Sequence, residues 1–216
     1  GIIFLGGSVA NFQRGFDRIN VPSVLTTLVT DELDFPNLSM VGVDDRAAAY
    51  TAVDYLIRQG HRKIAVLGGP VTSYPSLMRR KGAQQAMEDA GILFNDKLYG
   101  LSNYDFESAY HAMNSLLARR AEFTALFAMS DVIAFGAIRA LISAGCRVPE
   151  DVSVIGFDGI TMSRYCVPVM TTIVQPSEQI ALQSIELLVR QIEHGSPAQI
   201  VTLQPELQQG ESVRAI

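Results

Sequence analysis
The chain has 216 residues, 48% of them hydrophobic and 18% charged, which suits a well-buried α/β protein of one large domain or two smaller lobes and excludes disorder. Its net charge of -5 leaves no broad basic face, so the chain by itself is a poor partner for nucleic-acid phosphates. No apolar run is long enough to span a bilayer. Cys146 and Cys166 make no disulfide framework and lack the spacing of a zinc site, so both are read as reduced. His61, His111 and His194 are scattered and read as structural, two of them at helix ends, where a cation is favoured.

Taken in order, residues 1–5 read as a strand running to Gly6-Gly7, with no initiator methionine and no charged leader, so the sequence is expected to start inside a longer fold. Residues 8–20 read as a polar, Gly-containing connection, and Val21 to Leu25 as a second extended run that ends in the hydroxyls of Thr26 and Thr27. Residues 30–39 have loop composition. Residues 40–43 are then extended, and Asp44-Asp45 is placed to cap the next element. Ala49, Ala52, Val53, Leu56 and Ile57 fall at the spacing of a helix with one buried face, closed by Gly60.

Residues 63–67 are the next strand, closed by Gly68-Gly69-Pro70. A helix comes after it with Ala83, Ala86, Met87 and Ala90 on one face, Arg79 and Arg80 in its first turns and Gly91 at its end. Residues 106–119 form a helix, and residues 124–129 a strand that runs into Ser130-Asp131. The next helix turns Ile133, Gly136, Ala137, Ala140 and Leu141 inward and stops at Gly145. Val152, Val154 and Ile155 make a β-branched run that stops at Gly156-Phe157, with Asp158 just past its end. Residues 171–174 are extended, a helix starts with Pro176 at its first position and runs to about His194, and two short strands finish the chain, at 200–203 and near Leu207.

Repeated strand–helix units joined by short turns predict parallel sheets wrapped by helices. Such sheets bind ligands outside the carboxyl ends of their strands. The candidates there are Thr26, Thr27, the 68–74 turn, Ser130, Asp131 and Asp158, with Arg79 on the helix after that turn. Two carboxylates, an arginine and several hydroxyls, without a cysteine or histidine among them, suit hydrogen bonding to a neutral polyol better than bond breaking. No catalytic residue, cofactor or metal is assigned. Gly68-Gly69-Pro70 lacks the Lys-Ser/Thr of a phosphate loop. On the residues alone, Asp131 reads equally as a helix cap, Arg79 as the partner of a surface acid, and Asp158 as a turn residue, a ligand hook or a catalytic acid. Tyr104 reads as core, rim or a platform that stacks on a sugar or base.

Several blocks, in this order, are similar to the LacI/GalR family of bacterial transcription repressors: Val43-Asp44-Asp45-Arg46-Ala47-Ala48, Gly60-His61-Arg62-Lys63-Ile64-Ala65 leading into Gly68-Gly69-Pro70, Arg79-x-x-Gly82, and Ser130-Asp131 with Ala134-x-Gly136-Ala137. So are Val148-Pro149-Glu150-Asp151-Val152-Ser153-Val154-Ile155-Gly156-Phe157-Asp158, Thr171-Thr172 and Gln175-Pro176. The resemblance covers essentially the whole chain. It implies a two-lobed, periplasmic-binding-protein-like effector core, with residues 1–42 and 174–205 in a partial first lobe and residues 43–173 and 206–216 in the second. It also implies a small effector between the lobes, a sugar or a nucleoside or purine, in a cytoplasmic homodimer that is not an enzyme.

By the same resemblance, Arg79 matches the ligand-clamping arginine, Asp158 the binding acid, and Ser130 and Asp131 a polar pair at a strand end. Tyr104 matches the stacking aromatic, Gln175 a crossover residue near the pocket, and Thr27 a position where some members carry an acid. The loop 160–170, with Tyr165, Cys166, Val167 and Pro168, and the helix from Asp131 match the region where relatives dimerise. Gly159 departs from the family's second acid. Relatives carry a helix-turn-helix DNA-binding domain, a hinge and two strand–helix units ahead of the point where this sequence starts, so further chain before Gly1 is expected, and operator DNA would be contacted through it. A periplasmic sugar-binding protein of an uptake system shares the fold and is the alternative.

Overall fold
The computed structural model describes residues 1–120 and 122–216. In chain order the elements are β1 (Ile2–Leu5), α1 (Val9–Gly15), β2 (Ser23–Thr26), β3 (Leu38–Val43), α2 (Asp45–Arg58), β4 (Ile64–Gly68), α3 (Tyr74–Asp89), β5 (Tyr99–Leu101) and α4 (Phe106–Ala118). They continue with β6 (Ala125–Ala128), α5 (Asp131–Ser143), β7 (Ser153–Asp158), β8 (Thr171–Val174), α6 (Ser177–His194), β9 (Ile200–Leu203) and β10 (Glu206–Gln208). The chain divides into two units, Gly1–Asp44 with Pro176–Pro205 and Asp45–Gln175 with Glu206–Ile216.

The divisions after Asp44 and Gln175 fall later than the expected 42 and 173 for a reason of pairing. Val43 is held in the first unit's sheet by its register with Leu203, and Val174 in the second unit's by its register with Asp158.

The first unit holds a parallel sheet in the order β1-β2-β3-β9. Both faces of β2 and β3 are buried, and Ile180 and Leu187 of α6 pack with Val24, Val41 and Val43. Pro176 stands at the cap position, one residue before the helix it was expected to open. Residues 8–20 are not a plain connection: they form α1 and a short 3-10 turn over Phe16–Arg18. Phe12 and Phe16, four apart, meet Phe4 and Phe35 with ring centroids 4.8 to 6.0 Å apart. That aromatic cluster, invisible to a reading by local polarity, is what makes the helix worthwhile.

The second unit holds a six-stranded sheet in the order β10-β8-β7-β6-β4-β5. The ladders are parallel except that of the edge strand β10, which runs antiparallel to β8. β4 and β6 are buried along their whole length, which is why they read as unbroken apolar runs rather than alternating ones. The core joins Leu67, Leu126, Phe127 and Ile155 of the strands to Leu56, Met87, Met113 and Leu141 of the four helices. The three-residue strand β5 had no sequence signal of its own.

His61 does not use the helix end as a cation site. It is 1% exposed, with Nδ1 2.9 Å from Thr124 Oγ1 and Nε2 3.1 Å from the carbonyl of Arg214, and burial lowers its pKa. Among the described residues no helix is long and apolar enough to cross a membrane.

Candidate ligand-binding site
The polar candidates of the second unit gather at the carboxyl ends of β4, β6 and β7, the side on which open parallel sheets leave a crevice. The first contributor is α3. Ser73 caps it by accepting from the backbone of Ser76, and a proline sits in its first turn, so the helix starts firmly and carries Arg79 over the strand ends.

Arg79 is only 6% exposed. Its Nε donates to Asp45 Oδ1 at 2.7 Å, and Nη1 donates to the carbonyl of Met129 and lies 3.6 Å from Asp158 Oδ1. The guanidinium also lies over the ring of Phe157, 3.6 Å from its centroid. Burial works against its charge, but Asp45 and Asp158 outweigh that and raise its pKa, so the arginine is a fixed cation.

Asp158 ends β7 with φ +110°, a conformation that costs a non-glycine residue of the order of 1–3 kcal/mol and is kept only where the surroundings impose it. Its side chain is 29% exposed. Oδ1 accepts from Gln175 Nε2 at 2.8 Å, and the Gln175 backbone N–H donates to the Asp158 carbonyl. Oδ2 has no hydrogen-bond partner among the described residues. Burial raises the pKa of this carboxyl, opposed by Arg79 and Gln175. At the next residue φ is +69°, and a Cβ there would stand 2.7 Å from Val174 Cγ2. A side chain at 159 would therefore strain this turn, which Gly159 takes without cost.

Ser130 and Asp131 sit behind this surface. The Ser130 hydroxyl caps α5 by accepting from Ile133 N–H. Asp131 is 0% exposed, with Oδ1 accepting from Thr172 Oγ1 at 2.6 Å and Oδ2 from the Ile160 backbone at 2.8 Å. Burial pushes its pKa up to about 6 despite those bonds. Gly156 lets it approach β7, since a Cβ there would lie 2.2 Å from Asp131 Oδ1. Asp131 therefore braces the Asp158–Ile160 turn from within.

Tyr104 has φ +60° and its ring lies against the backbone of Gly69. Its hydroxyl is buried without a hydrogen-bond partner among the described residues. Thr27, with φ +62°, is exposed on the first unit; within the second unit the cluster brings together Arg79, Asp158, Gln175 and Tyr104, backed by Ser130 and Asp131. Thr26 turns its hydroxyl to the Phe4 carbonyl.

Sequence reasoning missed Asp45, read only as a cap. It is the first residue of α2 and buried, and its partner lies 34 residues away. Phe157, Met129 and Thr172 were likewise unassigned. Among the described residues no group of side chains is arranged to hold a metal ion. The first unit carries a cavity of about 400 Å³ walled by Phe4, Phe12, Phe16, Ser8 and Asn11. Its walls hold no charged side chain to orient a polar ligand, whereas the Arg79 cluster offers a guanidinium and a carboxylate.

A family profile described as a periplasmic binding protein-like domain matches residues 53–213. A solved sugar-binding transcriptional regulator of the LacI family from Escherichia coli, complexed with phosphate, is 30% identical over 99% of this chain and 77% of its own, with a TM-score of 0.84. The chain belongs to the LacI family. Another solved regulator, CelR in complex with cellobiose, is 30% identical over 98% of this LacI-family chain and 65% of its own, with a TM-score of 0.91. The HTH-type transcriptional regulator MalR of Clostridium butyricum is 37% identical over 98% of this chain and 64% of its own length. This LacI-family chain spans between about half and two thirds of the curated relatives it matches.

Proposed function
We propose that this chain is the effector-binding and dimerisation core of a LacI-family transcriptional regulator. It takes a small hydroxyl-rich molecule, a sugar ahead of a nucleoside or purine, at the Arg79–Asp158 face of the second unit. The observation that carries this reading is the pair itself: Asp158, held in a strained conformation with one carboxylate oxygen uncommitted, beside a guanidinium fixed by Asp45, Met129 and Phe157. A sugar hydroxyl can donate to that oxygen and accept from the remaining guanidinium N–H groups in one charge-assisted pair. Tyr104 offers a ring face and a buried hydroxyl in need of a partner. Cellobiose in the CelR complex is a ligand of this chemical kind.

Ligand binding that favours one conformation changes affinity for operator DNA, and the coupling is reciprocal. The DNA contact would come from a helix-turn-helix like that for which the relatives are named. Such a regulator works in the cytoplasm and is not an enzyme, a reading supported by relatives that are named as transcriptional regulators. The regulator reading is preferred to an uptake protein because the relatives are named as regulators.

A second copy is proposed to cover the loop 160–170 and the outer face of α5. Tyr165 is 77% and Val167 91% exposed there, Met162 and Ile142 are also exposed, and Phe106 stacks on Phe135. An apolar patch of that kind calls for a partner.

The test is a thermal-shift panel of sugars, nucleosides and purines. A ligand at a hundred times its Kd adds about 2.7 kcal/mol, which raises the midpoint of a chain this size by about 5 to 10 °C. Arg79→Ala and Asp158→Ala should each remove the shift. A hit that survives both substitutions unchanged places the ligand elsewhere.

A further inference from the structure
We infer that Asp45 sets the charge selectivity of this site: by pairing with Arg79 it leaves the ligand-facing surface of the second unit net anionic, so neutral hydroxyl-rich ligands are accepted and their phosphorylated counterparts turned away. The inference rests on the reading of the site given above and narrows it.

An arginine that grips a phosphate or carboxylate does so through two parallel N–H groups on one edge of its fork. Neither edge of Arg79 is free. Nε is committed to Asp45 at 2.7 Å, and Nη1 to the Met129 carbonyl and, at 3.6 Å, to Asp158. Only Nη2 remains, enough for one hydroxyl oxygen and too little for a bidentate anion. The stacking of the guanidinium on Phe157 holds it in this arrangement.

The sum of charges points the same way. One guanidinium faces two carboxylates, Asp45 and Asp158, and Asp131 adds a third behind them when it is ionised. The neighbouring arginines of the unit point to other partners, Arg80 to Asp96 and the Tyr99 ring, Arg46 to Gln85. Asp45 and Arg79 are both buried, so salt does little to screen the imbalance. In the sequence Asp45 is an acid in a helix's first turn, where a dipole explanation would suffice; its contact with Arg79 gives it this second role.

The experiment measures binding of ribose, glucose, cellobiose and adenosine to the full chain, each beside its phosphate ester, by thermal shift and calorimetry. For the sugar or nucleoside that binds, the neutral form should bind about tenfold or more tighter than its ester. In Asp45→Asn, which keeps an acceptor for Nε but removes the charge, that ratio should fall by about tenfold. An ester that binds the unaltered chain as tightly as its neutral parent overturns the selectivity, whether or not the variant folds. A folded Asp45→Asn with an unchanged ratio overturns the assignment to Asp45. If no member of the panel binds, the reading of the site fails and the selectivity falls with it.

Discussion

Asp131 and Asp158 stand at the ends of neighbouring strands, and their surroundings give them different work. Asp158 keeps an oxygen uncommitted beside Arg79, whereas Asp131 has both oxygens engaged by Thr172 and Ile160. Enclosure raises the Asp131 pKa to about 6. A carboxyl raised in the folded state keeps a proton that the unfolded chain has already released, so its contribution to stability is greatest below the ordinary carboxylate pKa. That contribution declines from about pH 4 to about pH 6 and is level above, a loss on the order of 3 kcal/mol. Urea unfolding at about pH 4 and about pH 7 should show the unaltered chain losing that much more stability than Asp131→Asn. Equal losses in the two proteins would mean that Asp131 is not the group responsible. Residue type and position were enough to single out both acids. They could not tell ligand contact from brace, because that depends on a threonine 41 residues away and a backbone N–H 29 residues away.

Among the elements, the strands and most helices were legible because burial on both faces or on one face leaves a period in the sequence. β4 and β6 are continuous apolar runs, and α2 sets Ala49, Ala52, Val53 and Leu56 at helical spacing. α1 was not legible. Its sequence carries Gly15 and Asn11, and its helical form rests on Phe12 and Phe16 reaching Phe4 and Phe35. Phe16→Ala should therefore cost about 3–5 kcal/mol, and hydrogen exchange should show protection lost over residues 9–18 while β6 stays protected. Protection of α1 that survives the substitution would mean that local propensity, and not the aromatic cluster, makes this helix.

For the whole molecule, the exposed apolar loop 160–170 is the feature that one copy of the chain leaves unexplained. Tyr165→Glu combined with Val167→Glu should convert a dimer to a monomer in sedimentation velocity and leave the thermal midpoint of the monomer little changed, since both side chains are exposed. A variant that sediments as the parent does would move the interface elsewhere. The sequence by itself determined the family, the alternation of strands and helices, and the strand ends where ligand groups belong, because motif order and hydrophobic period are local, repeated signals. Only the tertiary structure decided that Asp45 neutralises Arg79, that Asp131 turns inward, that β10 runs antiparallel and that α1 is a helix. Each of these depends on a contact between segments far apart in the chain, and such a contact leaves no period for a local reading to find.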